Sequence, residues 1–136
     1  MSPLRAYAQA QVSTSSQAEL VVLLYRGAVR FATKARLHLL GRELESAHDA
    51  LMRAQEIVVE LMLGIRPAEE KASADLYALH DYIYRLLYDA NFTKSAQPVD
   101  EALRHLRDLL STWETVALPR RGRQTAGDIV AIDRHC

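Results

Sequence analysis

Apolar side chains recur every three or four residues through four stretches of the chain, the spacing that gathers them on one face of an α-helix. Residues 17 to 40 place Leu20, Leu24, Phe31, Ala35 and His38 on one side, and residues 43 to 65 repeat Leu44, Ala47, Leu51, Ala54, Val58, Leu61 and Ile65. Residues 69 to 92 present Ala72, Leu76, Leu79, Ile83, Leu86 and Ala90, and residues 98 to 117 present Val99, Leu103, Leu106, Leu110 and Trp113. Gly41, the run from Gly64 to Pro67, and "NFTKSAQP" divide the four stretches. At the start of the first, Ser16 followed three residues later by Glu19 forms a capping box. Short connections make successive helices antiparallel, so the pattern predicts an all-α protein, an up-down four-helix bundle over residues 17–117. No strand pattern of useful length competes there.

Two flanks fall outside that periodicity. Residues 1–16 are small and polar apart from Leu4, Tyr7 and Val12, which reads as a flexible arm with a few adhesive points. Residues 118–136 begin with a leucine and the helix-breaking Pro119 and show no helical period, so a disordered tail is expected, with "DIVAID" as a short strand in competition. Arg120, Arg121 and Arg123 read as solvated charges of that tail, with contact to an acidic partner as the alternative.

The wheel also carries more apolar surface than one seam requires. With Leu24 at the seam centre, Val22, Val29 and Leu40 lie roughly 140 to 160° away, on the face that should be wet. Met52, Val59 and Leu63 lie roughly 80 to 120° from Leu51, and Tyr77, Tyr84 and Tyr88 stand almost above one another on the third helix. Singly, each stripe reads as the margin of a broad core. Together they suggest several hundred Å² of apolar surface awaiting a cover, and an amphipathic helix from another protein fits a groove between parallel ridges.

Composition narrows the chemistry. The chain has 136 residues, 49 % of them hydrophobic, which suits one core and not two. Seventeen basic residues balance seventeen acidic ones, so no net field favours nucleic acid or an anionic membrane. Cys136 is the single cysteine, which excludes an intrachain disulfide and fits a reducing cytoplasm. No window approaches eighteen uninterrupted apolar residues, so no membrane insertion and no export signal are expected. A di-iron bundle needs two Glu-x-x-His motifs, whereas the sequence supplies only Glu45-Ser46-Ala47-His48. Phosphate loops and nucleophile elbows are absent, so neither a cofactor nor an enzyme is expected. A small helical metal or ligand carrier and a self-associating bundle stay open as alternatives.

Three blocks then carry a family resemblance. "AYAQAQVSTSSQAELVVLLYRGAVRFATKA", "AQEIVVELM" and "LYALHDYIYRLLYDAN", with Trp113 late in the last helix, resemble in order and spacing the flagellin-specific secretion chaperones of the FliS type over residues 4 to 117. The resemblance implies a cytoplasmic, non-enzymatic bundle that binds the C-terminal segment of flagellin, blocks its premature polymerisation and keeps it competent for the flagellar export apparatus. It also implies an N-terminal arm, here with Tyr7 and Val12, lying over part of the apolar cleft until flagellin arrives. Tyr25 and Tyr82 join the partner surface through matching motifs. They complete a candidate set with Val22, Val29, Met52, Val59, Leu63, Tyr84 and Tyr88. A weak homodimer stays open as one option, the sequence leaving the oligomeric state without client undecided. The sequence departs from the family at Gln17, where a proline is usual, at Leu4, where an arm tyrosine is common, and at His80, which replaces a tyrosine and reads as a core residue.

Overall fold

The periodic stretches become four α-helices: α1 (Gln17–Leu40), α2 (Leu44–Leu63), α3 (Lys71–Thr93) and α4 (Gln97–Gln124). The computed structural model describes residues 17–65 and 71–124, with side chains as far as Ala117 in the last helix. α1 packs on α2 and α4, and α3 packs on the same two helices, which closes an antiparallel ring of all-α architecture. Among the described residues there is no strand.

Two of the turns share one device. Glu43 N–H donates to His38 O at 2.8 Å and Arg42 N–H to Leu39 O at 3.1 Å, the paired bonds that satisfy the last carbonyls of a helix when the next residue turns left-handed. That residue is Arg42, with φ 61°, and not the neighbouring Gly41. After α3, Lys94 takes φ 56° and Ser95 N–H reaches back to Ala90 O at 3.2 Å. Arg42 also donates through Nη1 to Lys94 O at 3.4 Å, so the two turns meet at the same end of the bundle.

The core is built from all four helices. Leu51, Ile57 and Val58 of α2, Ile83 and Leu87 of α3, and Val99 and Leu106 of α4 are its largest fully enclosed apolar side chains. Removing each from water contributes roughly 1.5–3 kcal/mol. The expected seams of α2 and α4 coincide with this core, whereas on α1 only Leu20 and Ala35 of the expected seam are buried. The other buried residues of α1, Ala18, Val22, Tyr25, Ala28, Ala32 and Leu39, form with Ala35 a stripe centred roughly 80° round the helix from Leu24, on whose other side Leu20 is also buried. Leu24 and Phe31 sit at its margin, packed on the core but only half-buried. Hydropathy had weighted the large residues, while the seam itself is made of alanines that let α1 approach two neighbours closely.

Alanine is not the smallest residue on that helix. A Cβ added at Gly27 would stand 3.1 Å from Ile57 Cδ1, so the glycine marks a close approach of α1 and α2. α4 adds ion pairs on the other flank, Arg26 to Glu114 at 3.0 Å and Arg36 to Asp100 at 2.5 Å. Both are exposed pairs, each contributing at most about 1 kcal/mol. The last helix also runs beyond its expected end at residue 117, its backbone remaining helical through Pro119 to Gln124. Proline removes one donor from the ladder, and a helix of 28 residues tolerates that loss near its end.

Candidate functional site

The surface left over by this packing is a groove between α2 and α3. Met52 and Val59 occupy one ridge, seven residues and two turns apart on α2, and Tyr84 faces them from α3. With Asp49, Arg53, Gln55 and Glu56 they line a cavity of about 570 Å³ that opens to solvent. Met52 is 51 % exposed and Val59 39 %, while Leu63, one turn further along the α2 ridge, is 64 % exposed. Tyr77 and Tyr88 extend the α3 ridge on either side of Tyr84, both about half exposed. A contact of 2.8 Å between Asn91 Nδ2 and His48 Nδ1 fixes the register of the two walls near the turn end. The groove thus alternates thioether, aliphatic and phenolic surface with charged rims, an arrangement that receives an amphipathic segment.

Four of the residues expected on the partner surface, Val22, Val29, Tyr25 and Tyr82, lie elsewhere. Val22 is only 5 % exposed and packs with Ala18, Ala117, Leu110 and Trp113 between α1 and α4. The wheel put it opposite the core because the seam of α1 was centred on Leu24; with α1 held between α2 and α4, both sides of the helix are covered by the chain itself. Val29 is half-buried and packs against the main core for the same reason. Tyr25 is 2 % exposed, and its hydroxyl bonds to His80 Nε2 at 2.7 Å. His80 Nδ1–H donates to Leu76 O at 2.8 Å, which leaves Nε2 as the acceptor for the Tyr25 proton. Burial pushes the Tyr25 phenol far above its usual range. Burial likewise lowers the His80 pKa, the bond to Leu76 O working the other way. His80 is fully enclosed, as a core residue should be.

Tyr82 is exposed but faces α4, away from the groove. Its hydroxyl donates to a Glu101 carboxylate oxygen, and its ring meets His105 edge-on with centroids 5.9 Å apart. The Glu101 carboxylate raises the pKa of the phenol by accepting its proton in a hydrogen bond. Tyr7 and Val12 lie outside the described residues. Met52, Val59 and Tyr84 therefore line the groove, Leu63 and Tyr88 are exposed further along the same two helices, and Val22, Tyr25, Val29 and Tyr82 do not join them.

Some exposed surface was not read from the sequence. Phe92 is 79 % exposed at the end of α3, and Leu37 and Val116 are also open to solvent. Phe31, placed in the seam by the wheel, is ringed by cations: Arg30 Cζ at 4.9 Å, Arg53 Cζ at 5.6 Å and Lys34 Nζ at 5.7 Å from its centroid. Arg30 and Lys34 are one turn apart on α1, so the basic pair was legible; Arg53 comes from α2 and joins them only through the fold. Among the described residues no group of three or more His, Cys, Asp and Glu side chains comes together as a metal site. None of the described helices is long and apolar enough to cross a membrane.

Comparison with known proteins agrees with the resemblance. Residues 1–120 match the model of the family described as flagellar protein FliS. The flagellar secretion chaperone FliS of Bacillus subtilis (strain 168) is 30 % identical over 128 residues, covering 93 % of this chain and 96 % of the relative. The flagellar secretion chaperone FliS of Salmonella typhimurium is 29 % identical over 124 residues, 85 % of this chain and 90 % of the relative. That of Campylobacter jejuni is 27 % identical over 113 residues, covering 82 % of this chain and 88 % of the relative.

Proposed function

Because this chain belongs to the FliS family, whose matched relatives are flagellar secretion chaperones and not enzymes, we propose that it holds flagellin in the cytoplasm before export. The client's C-terminal segment lies along the α2–α3 groove, its apolar face against Met52, Val59 and Leu63 on one side and Tyr84 and Tyr88 on the other. Occupying that segment blocks premature polymerisation and keeps flagellin available to the flagellar export apparatus.

The observation that carries this reading is the exposure of Met52, Val59 and Leu63 in a chain whose four helices already enclose a complete core. Covering that surface contributes roughly 25 cal/mol per Å² of apolar area removed from water. A wrapping client exceeds the standard interface of about 1,600 Å², and part of the gain is spent ordering it, which leaves release feasible. Tyr7 and Val12 of the N-terminal arm cover the same surface when no client is present.

Co-elution with flagellin tests the proposal. Full-length flagellin should form a 1:1 complex, and flagellin lacking its C-terminal segment should not. Equal binding of both would remove the groove's assigned occupant.

A further inference from the structure

Three cations converge on one half-buried aromatic ring at the α1–α2 boundary. Arg30 and Lys34, one turn apart on α1, and Arg53 on α2 all stand within 5.7 Å of the Phe31 centroid. Attraction to the ring's π face accounts for part of this gathering. It does not account for all of it, because like charges one turn apart on a helix repel each other and a third arrives from the neighbouring helix. Elsewhere on the bundle Arg26 pairs with Glu114, Arg36 with Asp100 and Arg85 with Asp81, while Arg42, Arg104 and Arg107 stay out of ion pairs among the described residues, so what sets Arg30, Lys34 and Arg53 apart is their convergence on a single ring. Arg30, Lys34 and Arg53 take part in no ion pair among the described residues. The chain as a whole is electrically neutral, so this is a local concentration of positive charge and not a reflection of bulk composition.

Its position is specific too. Arg53 is also a wall of the α2–α3 groove, with Met52 as its neighbour in the chain. The groove's own acids, Asp49 and Glu56, lie one turn to either side of Arg53 on α2, and neither approaches it within ion-pair distance. A segment whose apolar face fills the groove therefore brings one flank over Phe31 and its cations. Resting on the reading of the groove as the flagellin site, we infer that Arg30, Lys34 and Arg53 form a carboxylate-receiving shelf, which selects a client segment carrying Asp or Glu on the flank that lies over α1. The apolar groove supplies area; the shelf supplies orientation and rate of encounter, since complementary charge steers association and fixes register. Guanidinium groups suit the task because each presents paired donors to a carboxylate.

Calorimetric titration of the full chain with flagellin across a salt series separates the two contributions. Between about 50 and 500 mM NaCl the wild-type Kd should rise about tenfold, as screening weakens exposed charge contacts. The variant R30Q/K34Q/R53Q should bind about tenfold more weakly than wild type at low salt, with its Kd changing less than about twofold across the series. R30K/R53K, which conserves charge, should retain the wild-type slope, and unchanged thermal melting of both variants excludes a folding defect. Flagellin whose C-terminal Asp and Glu are replaced by amides should bind wild type as weakly as the triple variant binds native flagellin, with no further loss when the two are combined. A wild-type salt slope in the triple variant overturns the shelf while leaving the groove intact. A triple variant that changes only self-association in sedimentation assigns these cations to a second copy of the chain and overturns it equally. Absence of any flagellin binding by wild type removes the groove reading and the shelf with it.

Discussion

Tyr25 and His80 form the core's clearest polar dependence. Each hydrogen-bonds inside the bundle, and the pair joins α1 to α3 across its interior. Tyr25→Phe removes the hydroxyl and strands His80 Nε2 without a donor, which should cost about 1–3 kcal/mol in urea unfolding. Acid should act through the same bond. The folded state lowers the His80 pKa below its ordinary value of about 6.5, so the unfolded chain binds the extra proton first. Stability from this group is therefore present in full above about pH 6.5 and lost as the pH falls toward the folded pKa. Denaturant midpoints measured from pH 8 to pH 5 should decline, and His80→Gln should flatten that part of the decline. A steeper slope in the variant would assign the acid sensitivity to other groups.

At the scale of the helix, α1 shows what was legible in the sequence and what was not. Its ends were readable, and so were the seams of α2 and α4, because large aliphatic residues repeat there without competition. The rotation of α1 was not readable, since Ala28, Ala32 and Ala35 carry little hydropathy yet occupy the places where α1 lies closest to its neighbours. Periodicity therefore puts Val22 on the wrong face, while the unambiguous α2 seam leaves Met52, Val59 and Leu63 outside the core, where the structure exposes them. The cation shelf was invisible because one of its members lies on another helix. Two substitutions probe the helix geometry. Arg42→Gly should raise stability by about 0.5–1 kcal/mol, since glycine takes the left-handed turn without Cβ crowding. Gly27→Leu should lower it by about 1–3 kcal/mol by forcing α1 from Ile57, an enclosed residue with little room to move. Thermal melts of the two variants should therefore shift in opposite directions.

For the molecule as a whole, binding and folding draw on different surfaces. Met52→Asp combined with Val59→Asp should weaken flagellin capture at least tenfold (about 1.4 kcal/mol) with a urea midpoint close to wild type, because both side chains stand in the open groove. Val29→Asp should do the reverse of a clean capture defect. Placing a carboxylate against the core should cost about 1–3 kcal/mol of stability, visible as an earlier unfolding transition before any change in client affinity. A Val29→Asp protein with wild-type stability would return that residue to the outer face. The alanine seam of α1 has a final consequence. A backbone wedged this tightly between two neighbours has little freedom to rotate or slide, since close-packed interiors deform reluctantly. One wall of the trough, α2, rests on that seam, so whatever settles against it must do most of the bending.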